Sequence, residues 1–383
     1  MRILFCGLSG IPAIPSASIN RYMAIAQAMS VDNEIIIINR LPLFKVDTQI
    51  KAQPNSFRII DATGIKWRHE SFSKRNFLKL TSFVYEYQAL KKINREKKID
   101  IVNVYSQWFG ICLFYFILSK LFRFKTVLHY VELRSSFKNR SLFFRLNSKL
   151  LDKQIVFLYD NFISISTHIT EHIIRLKPKA NVLQIPPICD FRAIDPIEPE
   201  ISENKYFVFC GAIVYEEVIL FIINSFLKLE NKNKIKLHLV INGKIKDESI
   251  IYLIENNKEM IFLFSNLDYE KLIAKFKGSL AQLIPLRNTI QECARFPQKI
   301  CEYLASKRPI VTTNFGEIPH YFIDKQNAIV ANEYNIESYT NKLEWIINNQ
   351  DKLTSISENS YLTGLGYFDI NCYTKKFKNF NLC

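Results

Sequence analysis

The feature that most constrains this chain is a rhythm: short β-rich runs alternate with longer helical ones, and the rhythm stops once and starts again. The first series runs RILFCG, a helix near 19–29, EIIIIN, a helix near 77–92, DIVNVY, an apolar helix over 108–122, TVLHYV, NFISIS, the helix THITEHIIRL and NVLQIP. Strands joined through helices require crossovers, and crossovers build parallel sheets covered by helices. Between Ile185 and Tyr206 the periodicity fails in a stretch holding four prolines and several acids, the composition of a connecting segment. The alternation then resumes with YFVFCG, KLHLVING, MIFLFS, SLAQLIPL and RPIVTT, each followed by a helical run, and closes on a long helix over 336–348. Two successive α/β domains are expected, and 383 residues exceed what one hydrophobic core usually serves. Open parallel sheets bind ligands beyond the carboxyl ends of their strands, so two such domains facing each other would form a central cleft.

Hydrophobic residues make up 48% of the chain, enough for substantial cores. Lys and Arg number 51 against 36 Asp and Glu, and the resulting +15 favours an anionic partner, either nucleotide phosphates or anionic lipid. No recognition helix, zinc finger or base-stacking signature points to nucleic acid. The eight cysteines are widely spaced without a CxxC pair, as expected of reduced, buried thiols. MRILFCGLSG reads as a first strand and not a signal peptide. The apolar run from Trp108 to Leu118 is too short to span a bilayer. The stretch Phe137 to Phe157 interleaves Arg and Lys with Phe and Leu, and fits either an anionic bilayer surface or a helix with a basic outer face.

Three segments offer chemistry. The turn after the first strand, GLSGIPAIPSASINRYM, is small and glycine-bearing, but its G-x-x-G spacing and the Asn39-Arg40 after the second strand do not fit a dinucleotide fingerprint. His168, Glu171 and His172 form an H-x-x-E-H arrangement on one helix, which is the pattern of an inverted zinc-protease motif or simply an amphipathic face. The segment Arg295 to Asn332 is the most specific. It has a helix expected to start at Phe296, with Pro297 in its first turn, Ile300 and Leu304 on a buried stripe, and Lys299 and Glu302 on a shared face.

This segment resembles the nucleotide-sugar site of retaining glycosyltransferase family 4, carried here by Glu302, Tyr303-Leu304-Ala305-Ser306, Lys307-Arg308-Pro309, Ile310–Thr313 and Gly316-Glu317-Ile318-Pro319. Weaker likeness extends through Gly7 to Arg21, TVLHYVE, NFISIST, IPPICDF, FCGAI and LVING. The resemblance implies a GT-B fold: a Rossmann-like acceptor-side domain over 1–190, a linker over 191–205, a nucleotide-sugar domain over 206–365, and a last helix over 366–383 packing back on the first domain. It implies that Glu302 binds the donor ribose, that Arg295, Phe296, Pro297, Ile300, Gly211, Ala212, Asn242 and Gly243 line the donor, and that His129 lies near the anomeric centre. Gly10, Ser18, Asn20 and Arg21 would face the acceptor. Two departures stand out. Ala294 occupies the place of a second Glu, with Glu292 two residues earlier, and GAIVYEEV lacks the bases that the family often carries there. Lys299, Arg295 and Arg287 are then the candidates to stabilise a departing diphosphate. With no D-x-D pair, the expectation is metal-independent transfer with retention and no cofactor, in a monomeric cytoplasmic enzyme of surface-polysaccharide assembly, peripheral to the inner membrane face. The alternatives are a zinc hydrolase built on His168, Glu171 and His172, and a catalytically inactive nucleotide-sugar-binding paralogue.

Overall fold

The structure, a computed structural model, describes residues 1–10, 16–41, 57–65, 71–137, 140–230 and 235–381. Residues 11–15 of the first glycine-bearing turn and Cys383 lie outside the described residues. The chain divides into two units, Met1–Pro186 with Tyr373–Cys383, and Pro187–Cys372.

The first unit contains β1 (Arg2–Cys6), α1 (Ala17–Met29), β2 (Glu34–Asn39), β3 (Arg58–Asp61), α2 (Phe72–Glu96), β4 (Ile101–Val104), α3 (Phe109–Phe122) and β5 (Lys125–Tyr130). It continues with α4 (Leu142–Lys149), a π-turn over Leu150–Gln154, α5 (Ile155–Leu158), β6 (Asn161–Ser164), α6 (Thr167–Leu176) and β7 (Asn181–Gln184). All seven strands are parallel, in the order β3-β2-β1-β4-β5-β6-β7. Phe5, Ile36, Ile37, Val102, Leu128 and Phe162 are buried along the sheet, so both its faces are covered, as the near-continuous apolar runs require. β3 has no counterpart in the sequence reading, because its RIID is a short, half-exposed strand paired only through β2.

The second unit holds α7 (Phe191–Ile194), β8 (Tyr206–Ala212), α8 (Glu216–Leu227), β9 (Lys236–Asn242), α9 (Glu248–Glu255), β10 (Ile261–Phe264), α10 (Tyr269–Gly278), β11 (Ala281–Ile284), α11 (Ile290–Ala294) and α12 (Lys299–Ala305). Then come β12 (Ile310–Thr313), α13 (Ile318–Tyr321), β13 (Ile329–Ala331), α14 (Ile336–Asn348) and α15 (Leu353–Tyr367). Its six parallel strands run β10-β9-β8-β11-β12-β13. α16 (Thr374–Asn381) belongs to the first unit, where it packs on α1.

The proline-bearing stretch read as a linker is pinned to the second unit. Lys277 Nζ donates to the carbonyls of Asp195 and Ile197 at 2.8 and 2.6 Å, and Lys275 Nζ lies 2.6 Å from the Glu200 carboxylate. α15 escapes sequence periodicity because TSISENSYLTGLGY has no apolar stripe, and packing holds it instead. It lies on α12, and a Cβ at Gly364 would sit 2.6 Å from the Phe191 ring, so only glycine permits this approach.

In both sheets the chain builds outward from the first strand and then returns to its other side, which places a switch point between β1 and β4 and another between β8 and β11. At the first of these, Gly7 has φ +97° and a Cβ there would stand 2.7 Å from the Tyr105 carbonyl oxygen. Gly7→Ala is therefore expected to cost about 1–3 kcal/mol, measurable as a lowered urea midpoint.

Candidate active site

At the switch point of the second unit, Gly211 and Ala212 end β8 beside Ile241 and Asn242 of β9, with the exposed Gly243 next in the turn. The loop after β11, on the other side of β8, supplies the charge. Thr289 caps α11 by accepting from the Glu292 N–H, and Glu292 turns inward with only 1% of its surface exposed. Its Oε1 accepts from Arg287 Nη2 at 2.9 Å and from Arg295 Nη2 at 2.6 Å, and its Oε2 accepts from Arg295 Nε at 3.2 Å. One carboxylate thus gathers two of the three cations that the sequence singled out. Burial works against the charge of both arginines, but Glu292, joined by Glu217 at Arg287 and by Tyr215 at Arg295, holds both above their ordinary value. Arg287 also meets the exposed Glu217 at 2.5 Å. The Arg295 guanidinium lies 4.4 Å from the centre of the Tyr215 ring and hydrogen-bonds the Tyr215 hydroxyl. Two guanidiniums against one buried carboxylate leave the inner part of this cluster cationic, and solvent screens the exposed Glu217.

α12 supplies the second feature. It begins at Lys299, later than the sequence pattern places it, because Gln298 turns its amide back to donate to the Ile188 carbonyl at 2.8 Å. Phe296 is correspondingly withdrawn: it is buried, and its ring packs on Tyr321 and Phe368. Ile300 is wholly buried, and Pro297 is half-buried. These positions hold the helix in place. Glu302 is 1% exposed and its Oε2 accepts from Lys299 Nζ at 2.5 Å. Burial works against the charge of Lys299, yet the Glu302 carboxylate holds it above its ordinary value. The Tyr303 hydroxyl accepts from the Cys210 N–H at 3.0 Å, which ties this helix to the end of β8. The sequence reading of Lys299 and Glu302 as a pair on one face is the arrangement found.

In the first unit, His129 ends β5 among the rings of Phe5, Tyr22 and Tyr105, 2% exposed. Its Nε2 lies 3.0 Å from Asn103 Oδ1, and its Nδ1 has no hydrogen-bond partner. Burial, then the nearby Arg21 charge, lowers its pKa to about 3, so the ring is neutral at pH 7. Arg21 is buried and donates to the carbonyls of Pro186 and Ile185 at 2.6 and 2.7 Å. Ser18 hydrogen-bonds Tyr105, and Asn20 is half-buried on α1. Gly10 is buried, its N–H donating to Asn39 Oδ1 at 2.9 Å.

Sequence reasoning missed a polar group on the same edge. Gln107 Nε2 donates to Glu132 at 2.9 Å and Gln107 Oε1 accepts from Arg134 at 2.5 Å, which joins the ends of β4 and β5. The signal was only their position just after two adjacent strands. Within the H-x-x-E-H pattern, one histidine has a structural use. His172 Nε2 bonds the Asp152 carbonyl at 2.7 Å and its Nδ1 faces Arg175 at 3.3 Å, so both ring nitrogens are engaged. Among the described residues no group of three His, Cys, Asp or Glu is placed to hold a metal ion.

Residues 190–363 match the family model for glycosyl transferases group 1. An uncharacterised glycosyltransferase of Methanocaldococcus jannaschii is 20% identical over 158 residues, a match spanning 41% of this chain and 42% of that protein's length. Sucrose-phosphate synthase from Thermosynechococcus elongatus superimposes with a TM-score of 0.76 at 12% identity, covering 99% of this chain and 97% of that one. The Anabaena protein HepE, solved with UDP and glucose, superimposes at 0.70 and 12% identity over 99% and 98% of the two chains. The fold is GT-B.

Two outcomes are expected. Glu292→Ala strands two partly buried guanidiniums and should lower the urea stability of the protein by about 3 kcal/mol. His129, with a folded pKa of about 3 against about 6.5 unfolded, adds stability that is complete above pH 6.5 and is lost as pH falls toward 3. Between pH 7 and 5, His129→Gln should therefore lose about 2 kcal/mol less stability than the parent protein.

Proposed function

We propose that this chain transfers a sugar from a nucleoside-diphosphate sugar to a glycan or lipid-linked glycan acceptor, with retention of anomeric configuration. The observation that carries the reading is the buried Lys299–Glu302 pair on α12, fastened to the end of β8 inside the segment that matches group 1 glycosyl transferases. A buried carboxylate at a strand's carboxyl end suits two adjacent ribose hydroxyls, since its oxygens accept both hydrogens. In this reading Glu302 binds the ribose, and Gly211, Ala212, Asn242 and Gly243 give the ligand close access to the backbone.

Charge develops on the diphosphate as the bond to the anomeric carbon lengthens, and fixed cations stabilise it without reorganising. Arg287, Arg295 and Lys299 take that role, each already held in place by Glu292 or Glu302. The anomeric carbon gains oxocarbenium character, and the acceptor hydroxyl attacks the face the diphosphate leaves, passing its proton to the departing phosphate oxygen. That course retains configuration and needs no covalent enzyme intermediate. His129 contributes a neutral ring with an unpartnered Nδ1, suited to accept a hydrogen bond from a sugar hydroxyl. The protein acts as a monomer without a metal, in the assembly of surface polysaccharide at the inner face of the cytoplasmic membrane. HepE was solved with UDP, so UDP is the first nucleotide to try.

Thermal shift without metal, against UDP, GDP, CMP and their sugar conjugates, tests the donor site. One nucleoside diphosphate should raise the melting temperature of the parent protein and leave Glu302→Ala unmoved. No shift with any nucleotide would overturn the assignment, and binding without transfer or hydrolysis would identify an inactive paralogue.

A further inference from the structure

α4 is built inside out. Leu142, Phe143 and Leu146 point to solvent with 80%, 70% and 56% of their surfaces exposed, whereas Asn147 and Ser148 on the same helix are buried, as is Asp152 in the π-turn that follows. The buried polar groups fix this orientation. Asn147 Oδ1 accepts from the Phe109 N–H at 2.9 Å, capping α3, and its Nδ2 donates to the Gln107 carbonyl at 3.1 Å. Asp152 accepts from the Tyr130 hydroxyl at 2.7 Å and from the N–H groups of Ser135 and Arg134 at 2.5 and 3.3 Å. Rolling the helix to bury its leucines would leave all of these donors and acceptors unpaired in the interior. The apolar face is thus held outward by the fold.

The exposed charge along α4 and the π-turn has one sign. Arg140, Arg145, Lys149 and Lys153 are exposed, and the one acid between 137 and 158 is the buried Asp152. The surface continues across the same helix layer. α5 packs on α3, which exposes Ile117 and Leu121 beside Lys120 and contains no acid. Trp108, 42% exposed at the start of α3, stands 6.0 Å from the Phe143 ring, an amphipathic indole at the rim of the patch. No helix among the described residues is long and apolar enough to cross a membrane.

We propose that this face of the first unit, centred on α4, docks on an anionic lipid surface, with Leu142, Phe143, Leu146 and Trp108 entering the interface and the flanking arginines and lysines meeting the headgroups. Contiguous apolar surface rimmed by bases, on α3 and α4 with no exposed acid in either helix, is the composition of an interfacial helix. A second copy of the chain is a poor occupant, because face against face would oppose like charges. The proposal goes beyond the donor reading and stands apart from it, since no residue of the patch belongs to the second unit.

The test is co-sedimentation of the full chain with phosphatidylcholine vesicles, alone or with about one-third phosphatidylglycerol. The protein should pellet with the anionic vesicles, release in high salt, and show a blue shift of Trp108 emission that Trp108→Phe removes. Leu142→Glu/Phe143→Glu/Leu146→Glu should weaken binding by at least about tenfold, with its melting temperature and nucleoside-diphosphate response unchanged. Arg145→Glu/Lys149→Glu/Lys153→Glu, which leaves the apolar face intact, should lose the preference for phosphatidylglycerol. Failure to pellet, equal binding to neutral vesicles, or undiminished binding by both variants would overturn the proposal. So would a dimer in sedimentation velocity that the leucine and phenylalanine substitutions dissociate, which would make a second copy the occupant.

Discussion

Every paired strand in both sheets runs in the same direction, and that constraint orders everything else. A parallel strand must be entered from the same end as its neighbour, so each connection crosses a face of the sheet and every carboxyl end emerges on one edge. Backbone groups beyond the last ladder bond, together with the turns that follow, are then concentrated there. Gly7 meets the Tyr105 carbonyl on that edge in the first unit, and the Glu292 and Glu302 clusters lie after β11 on that edge in the second.

The constraint also explains what was legible. A strand buried on two faces must be apolar nearly throughout, so EIIIIN and YFVFCG announce themselves, and the crossover helices between them carry ordinary stripes. Where the physical signal is weak the reading fails. β3 and β13 are too short for any period, and α15 has no apolar stripe because Gly364 and its neighbours act through close packing on Phe191 and Leu304. The site divides in the same way. Lys299 and Glu302 were legible because a spacing of three on a helix fixes their proximity. Nothing local shows that the Arg21 side chain on α1 will reach the carbonyls of Ile185 and Pro186, 164 and 165 residues away, or that the Phe296 ring will pack on Phe368, far along the chain.

Buried charge in this protein is handled by pairing, not by avoidance. Glu86 meets Arg40 at 2.9 Å, Glu292 meets Arg287 and Arg295, and Glu302 meets Lys299. Such pairs contribute little net stability, because desolvation offsets much of their attraction, but breaking one leaves a charge that nothing else can satisfy. What they provide is position. The two arginines beside Glu292 outnumber that buried carboxylate, so the inner side of the cluster keeps a surplus of positive charge.

That surplus bears on the two departures from the pattern that the sequence resembles. The resemblance implies cations just after the first strand of the second unit, where this chain has Val214, Tyr215, Glu216 and Glu217. Here Arg295 comes from the loop after α11 and reaches the Tyr215 hydroxyl, while Arg287 reaches Glu217. The strand-to-helix turn after β8 carries no base and offers an aromatic and an acid that receive guanidiniums from across the switch point. Glu292, two residues before Ala294, is the group that gathers both. The cations therefore reach this sheet edge from the β11 side instead of the β8 side, held by Glu292, Tyr215 and Glu217 together.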